Sequence, residues 1–113
     1  MPFITSAEQL TTFGQSVLER HQVPTTDAFL LADSLVAAEL WGHSSHGMLR
    51  LPWYVERLRS GAMSAQTRAV HAVDNGAIVV LDGMDGIGQV LTAQAVQVGV
   101  ERARRFEIGR AHV

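Results

Sequence analysis

The sequence has no cysteine, and this absence excludes disulfide bonds and thiolate metal sites within the chain. It has no lysine either, because all nine of its basic residues are arginines, so lysine-based chemistry is excluded as well. Long hydrophobic runs are also missing. The longest, such as residues 77–81, fall far short of the roughly 18 apolar residues that a membrane-spanning helix needs. We therefore expect no membrane partner.

Charge of either sign is scarce: charged residues make up 18% of the 113 residues, and the formal net charge is −2. This balance produces no overall field that would attract nucleic acid, so no nucleic-acid partner is expected. A hydrophobic content of 47% excludes a disordered tail and is typical of one small globular domain. The first residues lack the basic and apolar segments of a secretory signal, so a cytoplasmic protein is expected.

Hydrophobic periodicity and capping residues predict four helices. The first begins with a capping-box pattern, Ser6 followed by Gln9. The second has a candidate cap at Thr25 or Thr26, and it is apolar on nearly all sides, which is typical of a helix buried on most faces. The predicted helices cover residues 6–21, 25–41, 52–60 and 89–105.

Two short strands, residues 68–73 and 77–81, flank Asp74-Asn75-Gly76, which is a strong signal for a hairpin turn. The resulting order of three helices, two strands and one helix predicts a mixed α/β fold. Two strands alone would form a poor sheet.

A glycine-rich loop, residues 82–88, separates the second strand from the fourth helix. It resembles the phosphate-binding turn of a Rossmann fold, but Leu91 stands where the third small residue of that motif belongs. Asp82 and Asp85 would also repel a pyrophosphate. We therefore predict a tight turn at the start of a helix rather than a dinucleotide-binding loop.

The densest group of reactive side chains lies between the second and third helices. It comprises His43, Ser44, Ser45, His46, Arg50 and Tyr54. An imidazole such as that of His46, with an ordinary pKa of about 6.5, suits proton transfer near neutral pH. Arg50 follows four residues later, so one helical turn would place both side chains on the same side. An arginine can hold a carboxylate through two hydrogen bonds while a histidine moves a proton.

Other interpretations of this segment stay open from spacing alone. It could be a capped helix start with a partly exposed histidine and a surface arginine. His43 and His46 could also be two metal ligands, but no third ligand follows in an obvious frame, so no metal site is predicted.

Residues 42–61, GHSSHGMLRLPWYVERLRSG, closely resemble the signature of the malate/L-lactate dehydrogenase family of type 2. That signature contains D-S-H-G, two residues, and then R-L-P-x-Y-V-x-R-L-x-x-G. The resemblance extends to residues 23–28 and 82–90 and covers about residues 3–106. One departure is Ser44, where the family usually has aspartate, so a carboxylate that could tune His46 is absent at that position.

The resemblance implies an NAD(P)-dependent oxidoreductase that moves a hydride between a nicotinamide and C2 of a small 2-hydroxy or 2-keto acid. It assigns catalytic roles to His46, as acid/base, and to Ser45. It assigns substrate-binding roles to Arg50, at the carboxylate, and to Tyr54, as pocket lining. It also implies NAD or NADP as cofactor, a homodimer, and a non-Rossmann mixed-sheet fold in which these helices and the hairpin are one part. No cofactor-binding residue is assigned.

The resemblance also suggests how the chain is organised. Residues 1–106 are expected to be the N-terminal part of the dehydrogenase domain, inactive alone. Residues 107–113 are predicted to be a non-native tail, because the sequence from Ile108 onward matches the translation of a common sequencing adapter. The alternative, suggested by the small size and the apolar helices, is a non-catalytic α-rich interaction module.

Overall fold

The structure, a computed structural model, describes residues 4–107, and the chain divides into two compact units between Gln66 and Thr67. The first unit contains helices α1, α2 and α3, with two 3-10 turns between α2 and α3. Their bounds are α1 Ala7–Arg20, α2 Thr25–Leu40, the first 3-10 turn Ser44–His46, the second 3-10 turn Met48–Arg50, and α3 Leu51–Ser60. The second unit contains β1 Val70–Asp74, β2 Val79–Asp82 and α4 Gly88–Arg105. The predicted mixed α/β class and the order of its elements are confirmed.

Helix α1 begins where the capping box predicts. The Gln9 backbone N–H donates to Ser6 Oγ at 3.0 Å, and the Ser6 N–H donates to Gln9 Oε1 at 3.3 Å. This satisfies two donors that the helix itself cannot pair. Farther along, Gly14 allows close packing against α2, since an added Cβ would lie 3.1 Å from the Ala32 Cβ.

Helix α2 forms the core of the first unit, as its apolar sequence predicts. Its five buried residues are Ala28, Leu31, Ala32, Leu35 and Val36. The predicted threonine cap is wrong, because Pro24 occupies the N-cap position and Thr25 is already helical. The Thr25 hydroxyl instead donates to Glu19 Oε2 at 3.0 Å, which ties α2 to the end of α1. The helix stops before Gly42, whose φ of 82° is readily adopted only by glycine.

Helix α3 begins at Leu51, one residue earlier than predicted. Pro52 therefore lies in the first turn, where its missing N–H interrupts no intrahelical hydrogen bond. Gly61 ends the helix with a φ of 82°, as the sequence indicates. The helix thus starts directly at the end of the second 3-10 turn, and Arg50 is the residue before it.

The strands of the hairpin pair antiparallel, with Asp74 opposite Val79 and Val70 opposite Asp82. The predicted turn is confirmed, since the Asn75 N–H donates to Ile78 O at 2.8 Å. Strand β1 starts two residues later than predicted. The reason lies in α4: Gln94 accepts from the Ala69 N–H at 2.8 Å and donates to the Thr67 carbonyl at 2.9 Å, so this backbone pairs with a side chain rather than a strand.

Within the second unit, an ion pair connects α4 to the hairpin turn. Both terminal nitrogens of Arg102 donate to the Asp74 carboxylate, at 2.6 and 2.8 Å, and Nη1 also donates to the Gly76 carbonyl at 2.8 Å. These hydrogen bonds, with the Gly76 N–H, hold the pKa of Asp74 well below its usual value, and the same contact raises the pKa of Arg102. Arg102 therefore holds the turn of the hairpin against α4.

Replacing Asp74 by asparagine is expected to lower the melting temperature of the chain by a few degrees near neutral pH, because it removes a two-pronged charged contact. The pKa of Asp74 is lower in the folded chain than in the unfolded one. Its stabilising contribution is therefore complete above the ordinary value of 3.8 and is lost as the pH falls below it. The difference in melting temperature between the parent and the variant should therefore decrease below that pH. Thermal unfolding followed by circular dichroism would measure it. Asp85→Asn, at an exposed position of the same unit, is the control. A difference in melting temperature between the parent and Asp74→Asn that increases in acid would contradict the stabilising role of the Asp74 carboxylate.

Candidate active site

The two 3-10 turns between α2 and α3 carry the predicted catalytic residues. The His43 N–H donates to the Ala38 carbonyl at 2.8 Å, which fixes the start of this segment on the end of α2. The His46 N–H then donates to the His43 carbonyl at 2.9 Å, closing the first turn. Ser45 and His46 are therefore presented by a short, internally bonded turn, and both are exposed.

Ser45 and His46 contact each other through their side chains. Ser45 Oγ lies 3.0 Å from His46 Nδ1. A hydroxyl can donate to a neutral ring nitrogen and can accept from a protonated one, so this contact suits the imidazole in both of its charge states. It also assigns Nδ1 to the serine, which leaves Nε2 as the nitrogen that can meet a substrate.

Arg50 reaches the same serine by a different route from the one predicted. The expected single α-helical turn is wrong, because Gly47, with φ −99° and ψ −147°, separates the two 3-10 turns. Arg50 nevertheless folds back, and its Nε donates to the Ser45 carbonyl at 2.8 Å. Since Nε is engaged, the two terminal Nη groups are the ones that can hold a carboxylate. Ser45 thus connects the imidazole to the guanidinium.

Tyr54 lies in the first part of α3 and is half-buried. Its ring stands edge-on to Trp53, with 4.9 Å between the ring centres and 82° between the planes. Arg57 covers the Trp53 ring at 4.9 Å. The structure therefore places Tyr54 in an aromatic pair close in sequence to Arg50, and its role in lining a pocket stays a prediction.

Glu39 is a residue of this segment that sequence reasoning missed. From the end of α2, its Oε2 accepts from the Ser44 hydroxyl at 3.1 Å, and its Oε1 accepts from the Met48 N–H at 3.0 Å. The segment therefore has a carboxylate beside Ser44, although it comes from α2 and not from position 44. A signal was present: Glu39 is one of three polar residues in the otherwise apolar residues 28–41.

Backbone donors of the glycine-rich loop, residues 82–88, are already paired with acceptors of the protein. The Met84 N–H donates to Asp82 Oδ1 at 2.9 Å, and the buried Ile87 N–H donates to Thr67 Oγ1 at 2.8 Å. The strand before the loop belongs to an antiparallel hairpin rather than to a parallel βαβ unit. These features agree with a tight turn and do not fit a pyrophosphate cradle.

Residues 4–107 contain no group of three histidine, aspartate or glutamate side chains placed to hold a metal ion. In the same part of the chain, no helix combines the length and the apolar character required to cross a membrane.

Curated proteins of several organisms are similar to this chain. Malate dehydrogenase of Pyrococcus abyssi is 35% identical over 102 residues, covering 90% of this chain and 28% of the relative. Hydroxycarboxylate dehydrogenase B of Escherichia coli K12 is 36% identical with the same coverage. L-sulfolactate dehydrogenase of Methanocaldococcus jannaschii is 33% identical over 93 residues, covering 82% of this chain and 27% of the relative. The chain thus spans little more than a quarter of these relatives.

Solved structures show the same likeness in three dimensions. A dehydrogenase from Sinorhizobium meliloti matches with a TM-score of 0.87 and 30% identity, covering 90% of this chain and 32% of that one. Malate dehydrogenase from Pyrococcus horikoshii matches with a TM-score of 0.86 and 30% identity, covering 91% and 30%. The family model described as malate/L-lactate dehydrogenase matches residues 5–113. The chain therefore belongs to the malate/L-lactate dehydrogenase family.

Proposed function

We propose that this chain is part of an NAD(P)-dependent oxidoreductase that interconverts a small 2-hydroxy acid and its 2-keto acid. The observation that carries the proposal is the linkage at Ser45, whose hydroxyl contacts His46 Nδ1 and whose carbonyl accepts from Arg50 Nε. A proton-transferring group and an anion-binding group are thus held together on one short turn. Membership of the dehydrogenase family supports the same reaction.

His46 is the proposed acid/base. Reduction of a 2-keto acid adds a hydride to C2 and a proton to the C2 oxygen, and oxidation of the 2-hydroxy acid reverses both transfers. Ser45 engages Nδ1, so Nε2 gives the proton to the oxygen or takes it back. The Ser45 hydroxyl changes from donor to acceptor as the ring charges, and it keeps the ring orientation in both directions of the reaction.

Arg50 is the proposed binding group for the substrate carboxylate. Its Nε bond to the Ser45 carbonyl fixes the plane of the guanidinium, and the two Nη groups can then donate to both carboxylate oxygens. Fixing the carboxylate beside the imidazole orients C2 and its oxygen, which lowers the entropic part of the barrier. Tyr54, on the helix that follows, would line the side-chain pocket.

The nicotinamide, NAD or NADP, supplies or accepts the hydride when bound. The glycine-rich loop does not fit the phosphates of the cofactor. The Met84 and Ile87 N–H groups are already paired, and Asp82 and Asp85 carry negative charge, as the phosphates do. We therefore assign no cofactor-binding residue within residues 4–107. The contribution of this chain is to bind the acid and to move its proton.

The proposal extends to the whole protein, because the chain spans only 28% of the first two relatives and a longer dehydrogenase would supply the rest. Residues 1–106 would form the N-terminal part of a longer cytoplasmic dehydrogenase that acts as a homodimer, and the isolated chain would be inactive. From the sequence alone, residues 107–113 stay predicted to be a non-native tail, although the family match extends through residue 113. Apart from Glu107, that tail lies outside the described residues.

The test is a chimera in which residues 5–106 replace the matching segment of E. coli hydroxycarboxylate dehydrogenase B, so that this chain supplies Ser45, His46 and Arg50. The expected result is oxidation of NADH or NADPH with at least one member of a panel of 2-keto acids. Matched ketones that lack the carboxylate should give no turnover, because Arg50 would have no anion to bind. A folded chimera that binds the cofactor and reduces no 2-keto acid would refute the proposal.

A further inference from the structure

Glu39 uses its two carboxylate oxygens separately. Oε2 accepts from the Ser44 hydroxyl at 3.1 Å, at the first residue of the first 3-10 turn. Oε1 accepts from the Met48 N–H at 3.0 Å, at the first residue of the second 3-10 turn. One side chain of α2 therefore bridges the beginnings of both turns, and Ser45 and His46 lie between its two contacts.

The Met48 contact satisfies a backbone donor that the second turn cannot pair by itself, because the first N–H groups of a helical turn have no partner within it. The acceptor is a carboxylate, and hydrogen bonds to an ionised group are roughly twice as strong as neutral ones. Gly47 lies buried against the same side chain, and an added Cβ there would stand 2.6 Å from Glu39 Cδ. The backbone between the turns is thus seated on Glu39.

We propose that Glu39 is a positioning residue, which holds the turn that carries Ser45 and His46 in the geometry needed for proton transfer. The inference rests on the proposed function, since it assigns Glu39 a part in catalysis through His46. In this proposal Glu39 acts through the backbone of the turn and through Ser44, and it is assigned no contact with substrate or cofactor.

The first measurement uses steady-state kinetics of the chimera described above. Glu39→Ala is expected to lower kcat about tenfold and to leave the KM of the nicotinamide cofactor unchanged, since the turn loses a hydrogen bond to a charged group. Glu39→Gln should stay within about twofold of the parent, because an amide oxygen still accepts from Met48 and an amide nitrogen can donate to Ser44. Asp33→Ala, at an exposed acidic position of the same helix, should change neither constant.

The second measurement does not depend on catalysis. Hydrogen–deuterium exchange at the Met48 amide is expected to be slow in the parent chimera, slow in Glu39→Gln and Asp33→Ala, and fast in Glu39→Ala. Should Glu39→Ala fail to fold, Ser44→Ala removes the Oε2 contact alone, and it is expected to lower kcat about twofold to threefold with the cofactor KM unchanged.

Fast exchange at Met48 in the parent, or a parental kcat in both Glu39→Ala and Ser44→Ala, would overturn the positioning role. A tenfold loss of kcat in Asp33→Ala would overturn it as well, because the effect would then belong to α2 in general. Failure of the proposed function has a different signature: a parent chimera that reduces no 2-keto acid while the exchange pattern at Met48 follows Glu39. That result removes the catalytic role and keeps the contact.

Discussion

Replacing His46 by alanine in the chimera is expected to lower kcat by about 10²–10⁴-fold, the usual contribution of a positioned general acid or base. The affinity for the nicotinamide cofactor should stay at its parental value, because the imidazole is assigned to the C2 oxygen of the acid and not to the cofactor. Steady-state kinetics with the best 2-keto acid would give kcat, and fluorescence titration with NADH or NADPH would give the cofactor Kd.

His43→Ala is the matched control, since His43 is an exposed histidine three residues earlier whose backbone, rather than its ring, takes part in the turn. It should leave kcat at the parental value, because its ring is assigned no part in the reaction. Parental turnover in His46→Ala, or an equal loss in both variants, would remove His46 from the mechanism.

Replacing Arg50 by alanine is expected to lower kcat/KM for the 2-keto acid by at least roughly 10- to 150-fold, because the loss of even one hydrogen bond to a charged group costs that much and Arg50 is assigned two. Most of the loss should appear in the KM of the acid, because the carboxylate is present in the ground state as well as in the transition state. Arg50→Lys should recover only part of it, since an ammonium carries the charge without the two-pronged geometry.

Arg59→Ala is the control for this experiment. Arg59 is an exposed arginine of α3 that pairs with Glu56 at 3.6 Å, and its loss should leave kcat/KM unchanged. A parental KM for the acid in Arg50→Ala, with a normal circular dichroism spectrum, would contradict carboxylate binding by Arg50. A larger effect of Arg59 than of Arg50 would contradict it too.

The elements that sequence predicts best are those whose ends are determined locally. The Ser6–Gln9 capping box is complete within four residues, and Gly42 and Gly61 end their helices through their own backbone conformation. The Asn75-Gly76 turn is equally local. In each case the residues that determine the structure are neighbours in the sequence, so their pattern is sufficient to predict it.

Errors arise where the deciding group lies on another element of the chain. Strand β1 starts late because Gln94, some 25 residues away, takes the backbone groups near Ala69. The threonine cap of α2 fails because Thr25 finds Glu19 on the preceding helix. Side-chain contacts of this kind compete with backbone pairing, and the hydrophobic pattern of a segment carries no information about them.

The candidate site likewise has a part that the sequence predicts and a part that it does not. The motif identifies Ser45, His46, Arg50 and Tyr54 as a set, and the structure links the first three through Ser45. The motif does not predict two 3-10 turns in place of one α-helical turn. That difference depends on how Gly47 packs against the side chain of Glu39. The catalytic and binding roles of the four residues stay predictions, and the variants above test those of His46 and Arg50.

The close approach of Gly47 to the Glu39 side chain also makes the two positions epistatic. A methyl group at position 47 would overlap the carboxylate, so alanine there is tolerated only after position 39 has become smaller or has turned away. Any side chain at position 47 would therefore have to displace the Glu39 carboxylate from the Ser44 hydroxyl and the Met48 N–H. A directed-evolution library for this loop should therefore vary positions 39 and 47 together, so that the backbone between the two turns, and with it the His46 ring, is free to change.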